Sequence, residues 1–202
     1  MRNFSVYFLI FFSLFIPHQG LQAKIQYSLY VTPTGDFGTE LDSYWYDVQH
    51  SNLSHQVVTQ YPPHCTLTSF FDPTQSESHY VNAIPLAIAD VLLPRIITIQ
   101  SRLHRGYQTD TILLTSTYLT ALATAFQIRT QLPVSVIKGP PGPSFHVTLR
   151  DIVFDEDSKL RRIRALENDI NLHANARWRV ALYKKDNGVV TLVKAYQLIP
   201  AN

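Results

Sequence analysis

The chain has 202 residues, with 17 basic residues, 15 acidic residues and a single cysteine. A charge balance this close to neutral argues against a long nucleic-acid duplex as the main ligand, because duplex-binding proteins are usually strongly basic. With only one cysteine, the chain cannot form an intrachain disulfide. We expect Cys65 to be a buried small hydrophobic residue and not a nucleophile.

The first 23 residues have the pattern of a signal peptide. Arg2 gives a positive start, residues 4–16 form an uncharged apolar run, and Leu21-Gln22-Ala23 offers a small-residue cleavage site. This run of 13 residues is short for a membrane span, which needs about 20; an uncleaved anchor is the alternative. We expect an exported protein (secreted, periplasmic or in the secretory lumen). Its mature part, residues 24–202, should be one monomeric domain that makes no membrane contact. Removing the segment takes away one basic residue and no acidic one, which leaves a net charge of +1.

The mature part alternates between predicted strands and predicted helices. Residues 24–32 alternate apolar and polar side chains like a half-buried strand, which Pro33 is expected to end. Ser116 or Thr117 is expected to cap a helix, and Asp186-Asn187-Gly188 predicts a hairpin turn. Helices are predicted over residues 40–50, 80–89, 116–129 and from Asp157 onwards, and further strands over residues 96–103, 105–114, 177–185 and 189–198.

Two short strings carry the chemistry, Pro63-His64-Cys65-Thr66-Leu67 and Phe145-His146-Val147-Thr148-Leu149. Successive side chains of a β-strand alternate between its faces, so the histidine and threonine of each string share one face. The opposite face is apolar and suited to a core. If the two strands are neighbours, two imidazoles and two hydroxyls converge on one small space, which suits a phosphate diester.

Cleavage of a phosphate ester needs a base at the attacking oxygen and an acid at the leaving oxygen. Histidine titrates near neutral pH, so two imidazoles can hold opposite protonation states. Threonine hydroxyls beside them can donate to the non-bridging oxygens, where charge accumulates. Such a site needs no metal.

A faint internal repeat supports the pairing of the two strings. Strand, helix and histidine strand follow one another from Ser28 to His64, a step of 36 residues, and again from Thr111 to His146, a step of 35 residues. Two similar units related by a pseudo-twofold axis would place one histidine strand in each half.

The two His-x-Thr-Leu strings, about 80 residues apart, resemble those of the 2H phosphoesterase superfamily, and are most similar to its 2′,3′-cyclic nucleotide phosphodiesterase branch. The resemblance extends over nearly all of the mature chain. It implies an α+β, bilobal fold of two antiparallel sheets with pseudo-twofold symmetry around a central groove, with helices packed outside. Similar segments are the opening strand at residues 27–33, Pro63, Gly106-Tyr107 and the closing hairpin at residues 183–186.

The resemblance also implies roles for individual residues. His64 and His146 would be the catalytic acid–base pair, and Thr66 and Thr148 would bind phosphate. Relatives often carry an aromatic residue shortly after the second motif, whereas Arg150-Asp151 follows it here. By strand alternation Arg150 shares the face of His146, where it either touches phosphate or pairs with a carboxylate. Tyr107 and Tyr30 are candidates for stacking on the substrate, with packing as the alternative.

The expected activity is that of a hydrolase in RNA metabolism: an exported, metal-independent cyclic phosphodiesterase that opens 2′,3′-cyclic nucleotides or related cyclic phosphates. By analogy with the family, the expected products are 2′-phosphates. The expected partner is this small nucleotide or cyclic phosphate. One alternative enzyme acts on 2′,5′-linked oligonucleotides or processes RNA ends. A secreted nucleotide-binding module without turnover is the alternative outside the enzymes. Histidines also favour zinc and copper, but the remaining histidines show no tight ligand spacing, so no metal or other cofactor is expected.

Overall fold

The computed structural model describes residues 24–50, 62–105, 109–138, 144–151 and 157–198. The predicted signal peptide and Tyr107 lie outside these ranges. The described elements, in chain order, are β1 (Gln26–Thr34), α1 (Gly35–His50), β2 (Cys65–Thr66), α2 (Glu77–Asp90), β3 (Thr98–Arg105), β4 (Thr109–Thr115), α3 (Thr117–Thr130), a short 3₁₀ helix (Val134–Val136), β5 (Ser144–Asp151), α4 (Asp157–Asp169), β6 (Ala176–Asp186) and β7 (Val189–Leu198). None of the helices in these ranges is both long enough and apolar enough to cross a membrane.

The strands form one antiparallel sheet of seven strands in the order β3-β4-β5-β2-β1-β6-β7. The mixed α+β architecture is as predicted, but the expectation of two separate sheets is wrong in the described chain. The reason is β2, which pairs with β1 on one side and with β5 on the other. This two-residue strand joins a half made of β3, β4 and β5 to a half made of β1, β6 and β7.

The core lies on one face of this sheet, between the strands and all four described helices. Tyr27, Leu29 and Val31 of β1 lie in the core, as the sequence pattern predicts. The strand is not half-buried as expected, because Ser28, Tyr30 and Thr32 on its other face are buried as well. Phe145, Val147 and Leu149 of β5 also lie in the core, so His146 and Thr148 point to the opposite face. The core residues of the helices and of the remaining strands include Phe37, Leu41, Tyr80, Ile84, Ile112, Leu114, Leu119, Phe126, Ile163, Val180 and Leu182.

Pro33 does not end β1, contrary to the prediction, and pairs with Trp178 of β6. Tyr30 and Val31 are the residues of β1 that pair with β2, so Pro33 lies beyond the end of β2. Among the described residues, β1 has a strand neighbour on one side only at this position. Proline is tolerated there because its missing N–H can face away from the ladder.

Local signals at two element boundaries are confirmed. Ser116, and not Thr117, caps α3, since its side chain accepts a hydrogen bond from the Leu119 N–H. Asn187 and Gly188 connect β6 to β7 with φ angles of 51° and 82°. Two consecutive positive φ angles are typical of the tight hairpin turn that an Asn-Gly pair favours.

Candidate active site

The two histidine strings lie side by side in the middle of the sheet. Cys65 of β2 pairs with Val147 of β5, and both side chains are fully buried in the core. The backbone of His146 also hydrogen-bonds to the Cys65 thiol. Alternation then turns the histidine and threonine of each string to the opposite face, so the structure brings the four predicted residues together on one surface.

The antiparallel register fixes their arrangement. One residue to either side of the Cys65–Val147 pair, Thr66 lies opposite His146 and His64 lies opposite Thr148. The two histidines therefore occupy opposite corners of a four-residue square. Diagonal neighbours of this kind are about 7–8 Å apart at their backbones, a separation that lets two imidazoles reach one phosphate from different sides.

His64 lies immediately before β2, and not inside a long strand as predicted. The strand is short because the chain bulges just after it. The Leu29 carbonyl accepts hydrogen bonds from the N–H groups of both Leu67 and Thr68, at 2.9 and 3.2 Å. The Thr68 hydroxyl then accepts the Leu29 N–H at 2.8 Å in place of a backbone carbonyl. Thr68 is thus structural, and it ends the regular ladder two residues after Thr66.

The ring of His64 is held by two contacts. It stacks on the ring of Tyr30 with centroids 4.0 Å apart, and its Nδ1 lies 2.9 Å from the Pro62 carbonyl oxygen. A carbonyl can only accept, so Nδ1 carries the proton, and in the neutral ring Nε2 is the nitrogen that can take one up. Burial lowers the pKa of His64, the Pro62 carbonyl partly offsets this, and charge on His146 lowers it further. This last effect means that the two histidines sense each other's charge.

The other three corners are open to different degrees. His146 is exposed, whereas Thr66 and Thr148 are half-buried. The square therefore presents one half-buried imidazole, one exposed imidazole and two hydroxyls on the face of the sheet opposite the core. This set can place a proton acceptor, a proton donor and two hydroxyl donors around one phosphate group.

The three candidate substrate contacts have different outcomes. Tyr30 is only 3% exposed and its ring lies against His64, Phe70 and Tyr183, which favours the packing alternative. Tyr107 lies outside the described residues, as does the side chain of Arg150. The backbone of Arg150 pairs with Asp110 across a register shift, so the simple alternation used to place it on the His146 face does not apply.

The structure adds one charged residue that the sequence analysis left out. Arg179 of β6 pairs with Thr32 of β1, and its Nε donates a hydrogen bond of 2.8 Å to the Thr32 hydroxyl. Arg179 falls on the same sheet face as Ala181 and Tyr183. In the sequence, Arg179 occupies a polar position of the alternating pattern in the predicted strand. This pattern does not distinguish it from an ordinary solvent-exposed arginine.

Within the described ranges, no three histidine, cysteine, aspartate or glutamate side chains are grouped in a way that could hold a metal ion.

No family model matches the chain, and no curated protein matches it. Among solved structures, the chain is similar to E. coli LigT in its apo form, with 12% identity and a TM-score of 0.45 over 87% of this chain and 97% of LigT. LigT complexed with 3′-AMP gives 13% identity and a TM-score of 0.43, over 87% and 98% of the two chains. Usb1 from Kluyveromyces marxianus gives 12% identity and a TM-score of 0.36, over 84% and 97%.

Proposed function

We propose that this protein is a phosphodiesterase of the 2H type that opens 2′,3′-cyclic nucleotides or related cyclic phosphates. The observation that carries the proposal is the register of β2 and β5, which puts both His-x-Thr pairs on one face of adjacent strands. The charge of His146 also affects the pKa of His64, which supports their joint use.

The environment of the two imidazoles supports a division of labour. His64 is neutral at neutral pH because burial lowers its pKa, so its Nε2 takes a proton from the attacking water. As the new P–O bond forms, the bond from phosphorus to one ribose oxygen breaks, and His146 donates the proton that this oxygen needs. Water is thereby added across the ester, giving a phosphate monoester and a free ribose hydroxyl. Proton exchange with solvent restores both rings.

Thr66 and Thr148 complete the site as donors to the non-bridging oxygens. Each lies beside the histidine of the other string, so one hydroxyl faces the phosphate from each strand. Charge on these oxygens grows during in-line attack, and preorganised donors lower the barrier most at that point. This proposal uses no metal.

The signal-peptide pattern of residues 1–23 supports export, and with it a substrate found outside the cytoplasm. We propose that the enzyme scavenges RNA breakdown products, since cleavage of RNA through its 2′-hydroxyl leaves 2′,3′-cyclic ends. A 2′-phosphate product is expected by analogy with the cyclic phosphodiesterase branch.

The test is turnover of adenosine 2′,3′-cyclic phosphate with assignment of the product isomer, beside 3′,5′-cyclic AMP and a 2′,5′-linked dinucleotide. His64→Ala and His146→Ala should each lower kcat by at least about a hundredfold, the lower end of what acid–base catalysis contributes. His173→Ala is the matched control, because His173 is an exposed histidine away from the sheet face and should leave kcat unchanged.

Three results would contradict the proposal. Unchanged turnover in both histidine variants would remove their assigned roles, and loss of activity with a chelator would favour a metal enzyme. Binding of the nucleotide without turnover of any of the three compounds would instead identify a binding module.

A further inference from the structure

A row of side chains runs across the face of the sheet opposite the core, from the catalytic square towards β6. Tyr30 of β1 pairs with Thr66 of β2 and Val31 pairs with Cys65, so one further step brings Thr32 opposite His64. Thr32 in turn pairs with Arg179 on β6. Arg179 is therefore two strands from His64 in the same row, about 10 Å away at the backbone.

The side chain of Arg179 is half-buried and reaches towards β1. Its Nε donates to the Thr32 hydroxyl at 2.8 Å, which holds the guanidinium beside β1, the strand next to His64. This hydrogen bond uses Nε and leaves the two terminal nitrogens as a pair of donors. A planar pair of this kind is suited to a phosphate or carboxylate group.

The positive charge of Arg179 has no direct ion pair with the residues that the structure describes. Within the described ranges no carboxylate comes within salt-bridge distance of it. Asp42 of α1 is the nearby acidic group: Arg179 lowers the pKa of Asp42, but burial raises it more. Arg179 also lowers the pKa of Tyr183, but burial raises that pKa by more.

Arg179 is two strands away from His64, so the reacting phosphate lies near the limit of its reach. That phosphate would lie between β2 and β5, about 7 Å from β1. A part of the substrate beyond His64 is better placed to meet the guanidinium. In a nucleotide substrate the anionic group available at such a distance is another phosphate, one ribose away.

We propose that Arg179 is a specificity-determining residue that binds a second phosphate of the substrate, held by Thr32 in the orientation that this requires. This inference rests on the function proposed above and narrows its substrate class to nucleotides that carry a phosphate besides the cyclic one. The second phosphate is on the 5′ oxygen of the nucleotide that carries the cyclic phosphate. It is either a terminal 5′-phosphate or the phosphodiester that links this nucleotide to the preceding one.

The test compares kcat/KM on three substrates: adenosine 2′,3′-cyclic phosphate, its 5′-phosphorylated form, and the dinucleotide ApA ending in a 2′,3′-cyclic phosphate. Arg179→Gln should lower kcat/KM by about tenfold or more on a substrate with the second phosphate, mainly through KM, and should affect the single-phosphate substrate least. The source of that phosphate is identified by comparing the two larger substrates: the one whose kcat/KM falls more in Arg179→Gln carries it. Arg179→Lys should keep part of the preference, because it keeps the charge and loses the planar pair.

Arg177→Gln is the matched control. Arg177 is an exposed arginine on the same strand and face, but it pairs with Thr34, one step further from the His64 row. It should leave the substrate preference within about twofold of the wild type. An equal loss on all three substrates in Arg179→Gln, or the same loss in Arg177→Gln, would overturn the proposal.

A binding measurement separates this inference from the catalytic one. If the wild-type protein turns over none of the three substrates, the proposed function fails, and calorimetry with 3′-AMP and adenosine 3′,5′-bisphosphate then tests Arg179 by itself. A preference of about tenfold for the bisphosphate that Arg179→Gln removes would support the second-phosphate site. Equal binding of both nucleotides, or binding of neither, would overturn it.

Discussion

Replacing Tyr30 by leucine tests whether Tyr30 positions His64 or only packs in the core. The Tyr30 ring is 3% exposed and contacts three rings, those of His64 at 4.0 Å, Tyr183 at 5.1 Å and Phe70 at 6.3 Å between centroids. Aromatic pairs contribute about 0.5–1.5 kcal/mol each beyond their burial, and such contributions are not fully additive. We expect Tyr30→Leu to lower the free energy of unfolding by about 2 kcal/mol, because leucine refills part of the volume.

The effect on catalysis follows from the two contacts that orient His64. Tyr30→Leu removes the stack and keeps the hydrogen bond to the Pro62 carbonyl, so the imidazole gains freedom to tilt. We expect kcat to fall by about tenfold, which corresponds to about 1.4 kcal/mol in the barrier. The acidic limb of the kcat/KM profile should also move upward in pH, because a less enclosed His64 is easier to protonate.

The matched variant is Tyr30→Phe, which keeps the ring and its stack on His64. It should hold kcat within about threefold of the wild type, while urea denaturation reports about 1 kcal/mol or less of lost stability. The assays are urea unfolding and the pH dependence of kcat/KM, both at a temperature where all variants are folded. A folded Tyr30→Leu protein with wild-type kcat and an unshifted pH profile would refute the positioning role and leave Tyr30 as a core residue only.

Three further predictions concern pH, a helix cap and the cysteine. Since folding lowers the pKa of His64, the unfolded chain takes up its proton near pH 6.5 before the folded one does. The free energy of unfolding should therefore be highest above this pH and fall as the pH drops below it. In His64→Gln, urea unfolding should show a weaker dependence of this free energy on pH. The same dependence in both proteins would contradict the burial argument. Ser116→Ala should lower the free energy of unfolding by about 1–2 kcal/mol, because the hydroxyl accepts the Leu119 N–H and donates to the Ile96 carbonyl at 2.6 Å; denaturation with no change in midpoint would disprove the cap. Cys65 is fully buried and burial raises its pKa to about 12, so a thiol reagent should label it only in denaturant, and rapid labelling of the native protein would place it elsewhere.

Much of the local structure follows from side-chain pattern alone. Apolar alternation identified which side chains of β1 and β5 join the core, because successive residues of a strand point to opposite faces. Ser116 and the Asn187-Gly188 pair marked a helix start and a hairpin, since capping and positive φ depend on one or two residues. The pairing of His64 with Thr66 and of His146 with Thr148 on one face was likewise a matter of local geometry.

The tertiary structure decided everything that depends on which strands are neighbours. Pro33 looked like the end of β1, but it is accommodated because β2 stops before it and leaves that side of the strand without a partner. The two predicted sheets are one, because a two-residue strand joins the halves. His64 and His146 are 82 positions apart, and only the register of β2 against β5 sets them diagonally across one square. The polar position of Arg179 in its strand did not connect it with His64, because their relation passes through Thr32 on a third strand. Such a relation between distant segments is fixed by hydrogen-bond register and not by local preference.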